Sequence, residues 1–189
     1  MSDAEPHSDD ERSSDTSPSL WSRLRARRST RWAIDIAIVI AVVLAISAFQ
    51  SRDLLDSDDP LPPVQLEALD GTTLDIDELE ARRTVVYFWA TWCGVCDVQA
   101  GAISSLHENS GDDLDVISVA LQYQNPQQIE DYVDDNDIDF PVYLGTDAVA
   151  NAFEVDTFPT IYIIDDNLQI RHGLVGYTTR FGIWARQWL

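Results

Sequence analysis

The sequence has no lysine, only two cysteines, three histidines and a single methionine, its first residue. The missing lysine leaves all 12 basic residues as arginine, against 33 Asp and Glu, for a formal net charge of -21. From Pro60 onward there are 22 acidic residues and 5 arginines, so this part alone is near -17. Such a surface repels phosphate backbones, which excludes nucleic-acid binding. It suits a protein that stays soluble in high salt, where repulsion is screened. A GC-rich genome favours arginine over lysine as well, and neither origin bears on the reaction. Internal repeats are also missing.

The scarcity of cysteine is informative because of where the pair lies. Cys93 and Cys96 are three positions apart. They cannot cross-link distant parts of the chain, and as a staple they would close almost no loop and add little stability. A tetrahedral zinc site needs four ligands, and His7, His107 and His172 are scattered. The pair therefore points to redox use, with no metal and no cofactor expected.

Long apolar runs are limited to one. Residues 1–31 form an acidic, Ser/Pro-containing tail, predicted to be disordered at its start, which ends in a basic patch of Arg23, Arg25, Arg27, Arg28 and Arg31. Residues 32–49 then form an 18-residue run broken only by Asp35. As a helix it would be about 27 Å long, enough to cross a bilayer core. Trp21 and Trp32 suit the interfacial belt. Five arginines before the run and only Arg52 shortly after it predict a cytoplasmic N-terminus and an exported domain. A cleaved signal peptide is the competing reading, with Ala45-Ile46-Ser47 as a weak site, and a buried soluble helix is the third. Residues 50–63 read as an acidic, proline-ended linker. Residues 64–189 read as one domain, large enough to bury its own core.

Within that domain, Val64–Leu69 and Thr73–Asp75 flank Asp70-Gly71 as a hairpin. Thr84–Ala90 and Asp115–Leu121 are continuous apolar runs, hence buried strands. Helices are predicted from Cys93 to Glu108, with Val98, Ile103 and Leu106 as apolar markers, from Pro126 to Asn136, from Thr146 to Phe153 and from Thr178 to Leu189. Phe140–Leu144, Thr160–Ile164 and Leu168–Val175 complete the strands. Alternating strands and helices imply an α/β sheet covered on both faces.

Disulfide exchange needs one accessible thiolate to attack and a second thiol to release the mixed disulfide. A Cys-x-x-Cys at a helix start supplies both. Cys93 would sit where free N–H groups and the macrodipole favour negative charge, as the catalytic nucleophile. Cys96, one turn on and more shielded, would resolve. Gly94 and Val95 lie between them, Gly94 allowing a tight turn, and Trp92 shields the pair without adding charge.

The run Val85-Val86-Tyr87-Phe88-Trp89-Ala90-Thr91-Trp92-Cys93-Gly94-Val95-Cys96 closely resembles the thioredoxin superfamily active site. Thr157-Phe158-Pro159-Thr160 is similar to the cis-proline loop of that family. The resemblance, covering roughly Pro60 to Leu189, implies a thioredoxin-like fold: a central mixed β-sheet flanked by helices, here preceded by a β-hairpin and a single transmembrane helix. It implies that Pro159 is cis and that Phe158 and Pro159 bind substrate. The hairpin, the anchor and the extra segment around Asn125–Leu144 resemble the membrane-anchored TlpA/DsbE-type branch, in particular the suppressor-of-copper-sensitivity D type. The implied function is extracytoplasmic thiol–disulfide exchange on protein substrates, in the reductive direction. A DsbD-type membrane protein would supply or accept electrons, and the domain would face the periplasm or cell exterior. The alternative is a module that holds copper(I) on the same two thiolates.

Three residues depart from the family pattern. Tyr87 stands where thioredoxins carry a buried Asp, and Gln124 is the nearest match to the acid that some TlpA-type members use instead. Water, Asp97 or Asp156 are then open as proton acceptors for Cys96, or both Asp residues are simply solvated. Phe158 is bulkier than usual before the proline; it either narrows the substrate groove or packs on the core. His172, read as following a strand, is a remote candidate to reach the site as a copper ligand. His107 reads as a helix-surface residue, and Trp184 and Trp188 as core or membrane-facing packing rather than a cofactor site.

Overall fold

The computed structural model describes residues 32, 34–42, 54–55, 59–79, 82–111 and 113–186. The chain divides into two units, Met1–Val43 and Leu44–Leu189. In the first, residue 32 and residues 34–42 are helical with exposed side chains. Among the described residues no helix is long and apolar enough to cross a membrane. The tail over residues 1–31, the second part of the apolar run (residues 43–49), residues 50–53 and 56–58 of the linker, and Trp188 lie outside the described residues.

The second unit carries a seven-stranded sheet. In chain order the elements are β1 (Gln65–Ala68), β2 (Thr73–Asp75), β3 (Arg83–Trp89), α1 (Gly94–Glu108), β4 (Asp115–Ala120), α2 (Pro126–Asp135), β5 (Val142–Leu144), α3 (Asp147–Ala152), β6 (Thr160–Asp165), β7 (Ile170–Val175) and α4 (Arg180–Arg186). The spatial order is β2-β1-β5-β4-β3-β6-β7. β3 pairs in parallel with β4 and antiparallel with β6, so the sheet is mixed. The hairpin β1–β2 joins the sheet by antiparallel pairing of β1 with β5. Its turn uses Gly71 at φ +82, a conformation that glycine adopts without penalty.

β3 explains why the site sits where it does. Its residues alternate between two apolar layers, Val85, Tyr87 and Trp89 on one side and Val86 and Phe88 on the other. Both faces are covered, which is why the run reads as continuous rather than alternating. The first layer is closed by α1 through Cys96, Ala100, Ile103 and Leu106, and by α4 through Ile183. The second packs Phe88 against Phe153 and Tyr162.

The helix starts follow their caps. Asn125 accepts from the N–H of Gln128 at 3.1 Å ahead of Pro126, and Thr146 accepts from the N–H of Val149 at 3.3 Å.

Several expectations need correction. Val98, taken as an apolar marker of the buried face of α1, is 64% exposed, whereas Gln99 is fully buried. The Gln99 amide pairs with a distant backbone: its Nε2 donates to the Thr178 carbonyl at 3.0 Å, and its Oε1 accepts from the Thr178 N–H at 2.7 Å. That double bond offsets the desolvation of a buried amide. The strand expected from Phe140 begins at Val142, while Phe140 packs edge-on against Tyr87. The strand expected from Leu168 begins at Ile170, because Leu168 is held in the turn at φ 56. α4 begins at Arg180 rather than Thr178. Trp184 is 49% exposed, so of the two readings, core or membrane-facing, it is not core.

His172 does not follow a strand but lies inside β7, opposite Ile163, which in turn pairs with Val85. Val85 is four positions before Trp89, about 13 Å along the strand, so His172 does not reach the dithiol. Partial burial, with the charges of Arg186 and Arg171, holds its pKa below the usual histidine value. The native state then binds fewer protons than the unfolded chain. The contribution to stability is complete above the unfolded pKa of about 6.5 and is lost as pH falls through the lowered folded value. Chemical denaturation should therefore show a midpoint that falls as pH drops through and below about 6.5, and His172→Gln should flatten that slope.

Candidate active site

The dithiol is placed by the junction of β3 and α1. Chain direction reverses over Ala90 to Cys93, with the Cys93 N–H on the Ala90 carbonyl at 3.1 Å. Cys93 is the N-cap of α1 and has extended backbone. The Cys96 N–H faces both the Cys93 carbonyl at 2.8 Å and the Cys93 Sγ at 3.2 Å. One of the free donors of the helix start is thus already aimed at the sulfur, as stabilisation of a thiolate requires. Cys93 and Cys96 are joined by a disulfide, with Cα atoms 5.2 Å apart. Cys93 is 7% exposed and Cys96 is fully buried.

The space around the pair is apolar. Trp92 is 63% exposed and meets Phe158 edge-on, ring centroids 5.7 Å apart. Val95 and Val98 are exposed on the first turns of α1. Phe158-Pro159 is a cis peptide bond, and the Pro159 carbonyl accepts from the Gly176 N–H at 2.8 Å. Phe158 is half-buried and packs on both apolar layers besides touching Trp92, so it serves core and groove at once. A Cβ on Gly94 would meet nothing within 4 Å, and its φ is not positive. The turn expected to need glycine therefore does not; Gly94 instead leaves open space beside Cys93.

The structure also shows what replaces the buried acid. Tyr87 is 1% exposed, and its hydroxyl donates to the Cys96 carbonyl at 3.1 Å. Burial, reinforced by nearby Tyr132 and Asp97, pushes its pKa far up, so it remains a neutral donor. Tyr132 of α2 donates to Asp97 at 2.5 Å and stacks on Trp89 with centroids 4.7 Å apart. Its phenol too is pushed up, by burial and then by the bond to Asp97. Asp97 and Asp156 are exposed, and Asp156 accepts from the Thr157 hydroxyl. Gln124 points away from a proton-accepting role. It is exposed, and its backbone N–H donates to Gln128 Oε1, while Gln128 Nε2 donates to the Thr91 hydroxyl at 2.6 Å.

Three residues around the site escaped the reading of the sequence: Gln99, Gln128 and Tyr132. Each acts across a long sequence separation. The only signal at hand was the extra segment around Asn125–Leu144, which carries two of them.

Comparison with known proteins fits this arrangement. Residues 58–173 match the model of the AhpC/TSA family. A "Thiol-disulfide oxidoreductase ResA" of Oceanobacillus iheyensis is 28% identical over 163 residues, covering 82% of this chain and 84% of the relative. A "Thioredoxin-like protein" of Haemophilus influenzae is 25% identical, covering 82% and 92%. The crystal structure of a putative thiol:disulfide interchange protein DsbE from Chlorobium tepidum superposes with a TM-score of 0.64 at 20% identity, covering 70% of this chain and 99% of that one. With its thioredoxin-like sheet and its disulfide at the β3–α1 junction, the chain belongs to the AhpC/TSA family and is a thioredoxin-like thiol–disulfide oxidoreductase.

Proposed function

We propose that the protein reduces disulfides in protein substrates on the outer side of the cytoplasmic membrane, with Cys93 as nucleophile and Cys96 as resolving thiol. The observation that carries this reading is the asymmetry of the pair: Cys93 caps the helix and keeps some exposure, while Cys96 has none.

In the reduced protein the Cys93 thiolate attacks one sulfur of the target disulfide. A mixed disulfide forms, and the other target sulfur leaves as a thiol. Cys96 then attacks the Cys93 sulfur, the second target thiol is released, and two electrons have passed to the substrate. The Cys93–Cys96 disulfide left behind is the state seen here. A membrane dithiol protein of DsbD type would return the two electrons. Phe158 and cis-Pro159, joined to the dithiol loop through Trp92, form the surface on which the substrate backbone would lie.

The outer location rests on the arginine-flanked apolar run over residues 32–49, which would hold the protein by one helix with its N-terminus inside. The acidic, lysine-free surface supports a salt-rich exterior. The reductive direction rests on the absence of positive charge between the cysteines, where Gly94 and Val95 do nothing to favour a strongly stabilised thiolate. Copper(I) holding on the same two thiolates is the alternative; among the described residues no group of three or more His, Cys, Asp or Glu adds ligands to the pair.

Equilibration of the protein with a series of glutathione redox buffers decides the direction. The expected potential lies closer to the about -270 mV of a reducing dithiol than to the about -120 mV of a strong oxidant. A value near -120 mV would overturn the reductive reading.

A further inference from the structure

Asp97 is the first charged residue after the dithiol, four positions beyond Cys93 and one beyond Cys96. Residues at that four-step spacing are neighbours on one face of a helix, with Cβ atoms about 5–6 Å apart, and side chains lean toward the helix start. Cys93 caps α1 and Asp97 lies in its first turn, so both belong to the same positive helix end. In the reduced protein a Cys93 thiolate draws on that end, and a carboxylate already there opposes it.

The carboxylate is not left to turn away. The Tyr132 hydroxyl of α2 donates to it at 2.5 Å, and the Tyr132 ring is seated on Trp89 with centroids 4.7 Å apart. Trp89 belongs to the same apolar layer as both cysteines. The Asp97 charge reaches into that layer. It helps keep neutral the Tyr87 phenol, which donates to the Cys96 carbonyl at 3.1 Å.

Other charged groups act elsewhere. Asp156, on the cis-proline side, presses on Tyr162 in the opposite layer. On α2, Glu130, Asp131 and Asp134 leave from other faces of the helix than Tyr132, and Asp135 lies a turn beyond it. Arg83 and Asp115 stand at the opposite ends of β3 and β4 from the dithiol. Arg180 lines a cavity with Leu106 and Asn109 at the far end of α1, and Arg186 acts on His172 of β7.

We infer that Asp97, positioned by Tyr132, sets the potential of the dithiol: its fixed charge disfavours the thiolate, hence the reduced pair, and makes the protein a stronger reductant. This deepens the reductive reading above and rests on it for the direction of electron flow. Tyr132 is a positioning residue, because a freed carboxylate would turn away from the thiolate that repels it.

The test compares potentials of the full chain and its variants against glutathione at about pH 5.5 and about pH 9, on either side of the ordinary thiol pKa of about 8.5. Asp97 is exposed, so its substitution leaves the core undisturbed. At the lower pH the thiols are protonated, and Asp97→Asn should match the wild type. At the higher pH it should favour the reduced pair about fivefold, a potential about 20 mV less negative. Asp97→Glu, which keeps the charge, should stay within about twofold of the wild type. Tyr132→Phe keeps the ring on Trp89 and should give part of the shift, and none once Asp97 is Asn. Equal potentials for Asp97→Asn and the wild type at the higher pH overturn the inference. A shift of equal size at both pH values overturns it too, as does a Tyr132→Phe shift that survives in the Asp97→Asn background. A wild-type value of about -120 mV sinks the reductive reading alone, because the role of Asp97 stands on the difference between variants.

Discussion

Cys93→Ser should lower the rate of protein-disulfide reduction by about a thousandfold or more, and Cys96→Ser should instead accumulate a mixed disulfide with the target. The two outcomes differ because the cysteines differ in place, not in chemistry. Cys93 receives the Cys96 N–H on its sulfur and keeps some exposure; Cys96 is sealed beneath it. Removing Cys93 removes the only thiol an incoming protein can meet. Removing Cys96 leaves attack intact but leaves nothing to displace the target. Non-reducing electrophoresis of Cys96→Ser with a disulfide-bonded substrate reads the trapped adduct, and a coupled thiol assay reads the loss in Cys93→Ser. Full activity in Cys93→Ser would sink the assignment of roles.

Phe88→Ala should cost about 3–5 kcal/mol of stability. Phe88 is fully buried on β3, an interior strand of the sheet. Its ring lies 5.0 Å from Phe153 and 6.1 Å from Tyr162, so truncation opens a void bordered by two other large rings that cannot collapse into it without breaking the Tyr162 hydroxyl bond to the Phe153 carbonyl. Urea denaturation should show a lower midpoint with an unchanged slope. Phe88 faces the layer opposite the dithiol, so the folded fraction should keep its exchange activity at low temperature. A loss under about 1 kcal/mol would mean the second layer repacks freely.

What the sequence made legible was whatever depended on near neighbours. The continuous run of β3, the Asp70-Gly71 turn, the proline at the start of α2 and the dithiol at the start of α1 are local patterns, and each appears where expected. Pro159, by contrast, is known as cis through a resemblance to other proteins; nothing in its local spacing required it. The sequence hid whatever depends on distant partners. Val98 and Gln99 exchange the places that polarity alone would assign, because the Gln99 amide finds the Thr178 backbone 79 positions away. Tyr87 looked like a lost acid, yet it supplies a hydroxyl to the backbone of Cys96 itself. Its neutrality leaves the site without a buried carboxylate in the place where thioredoxins hold one, so Cys96 must lose its proton by another route.

The bonds from α2 bear on how portable this dithiol is. Gln128 holds Thr91 just before the motif, Tyr132 holds Asp97 just after it, and the Tyr132 ring covers Trp89. Transplanting the pentapeptide Trp92–Cys96 into another scaffold of this architecture would carry over both sulfurs and neither brace. The cassette that travels as a unit is the motif together with α2, two pieces separated in the chain by all of β4 and joined only in space.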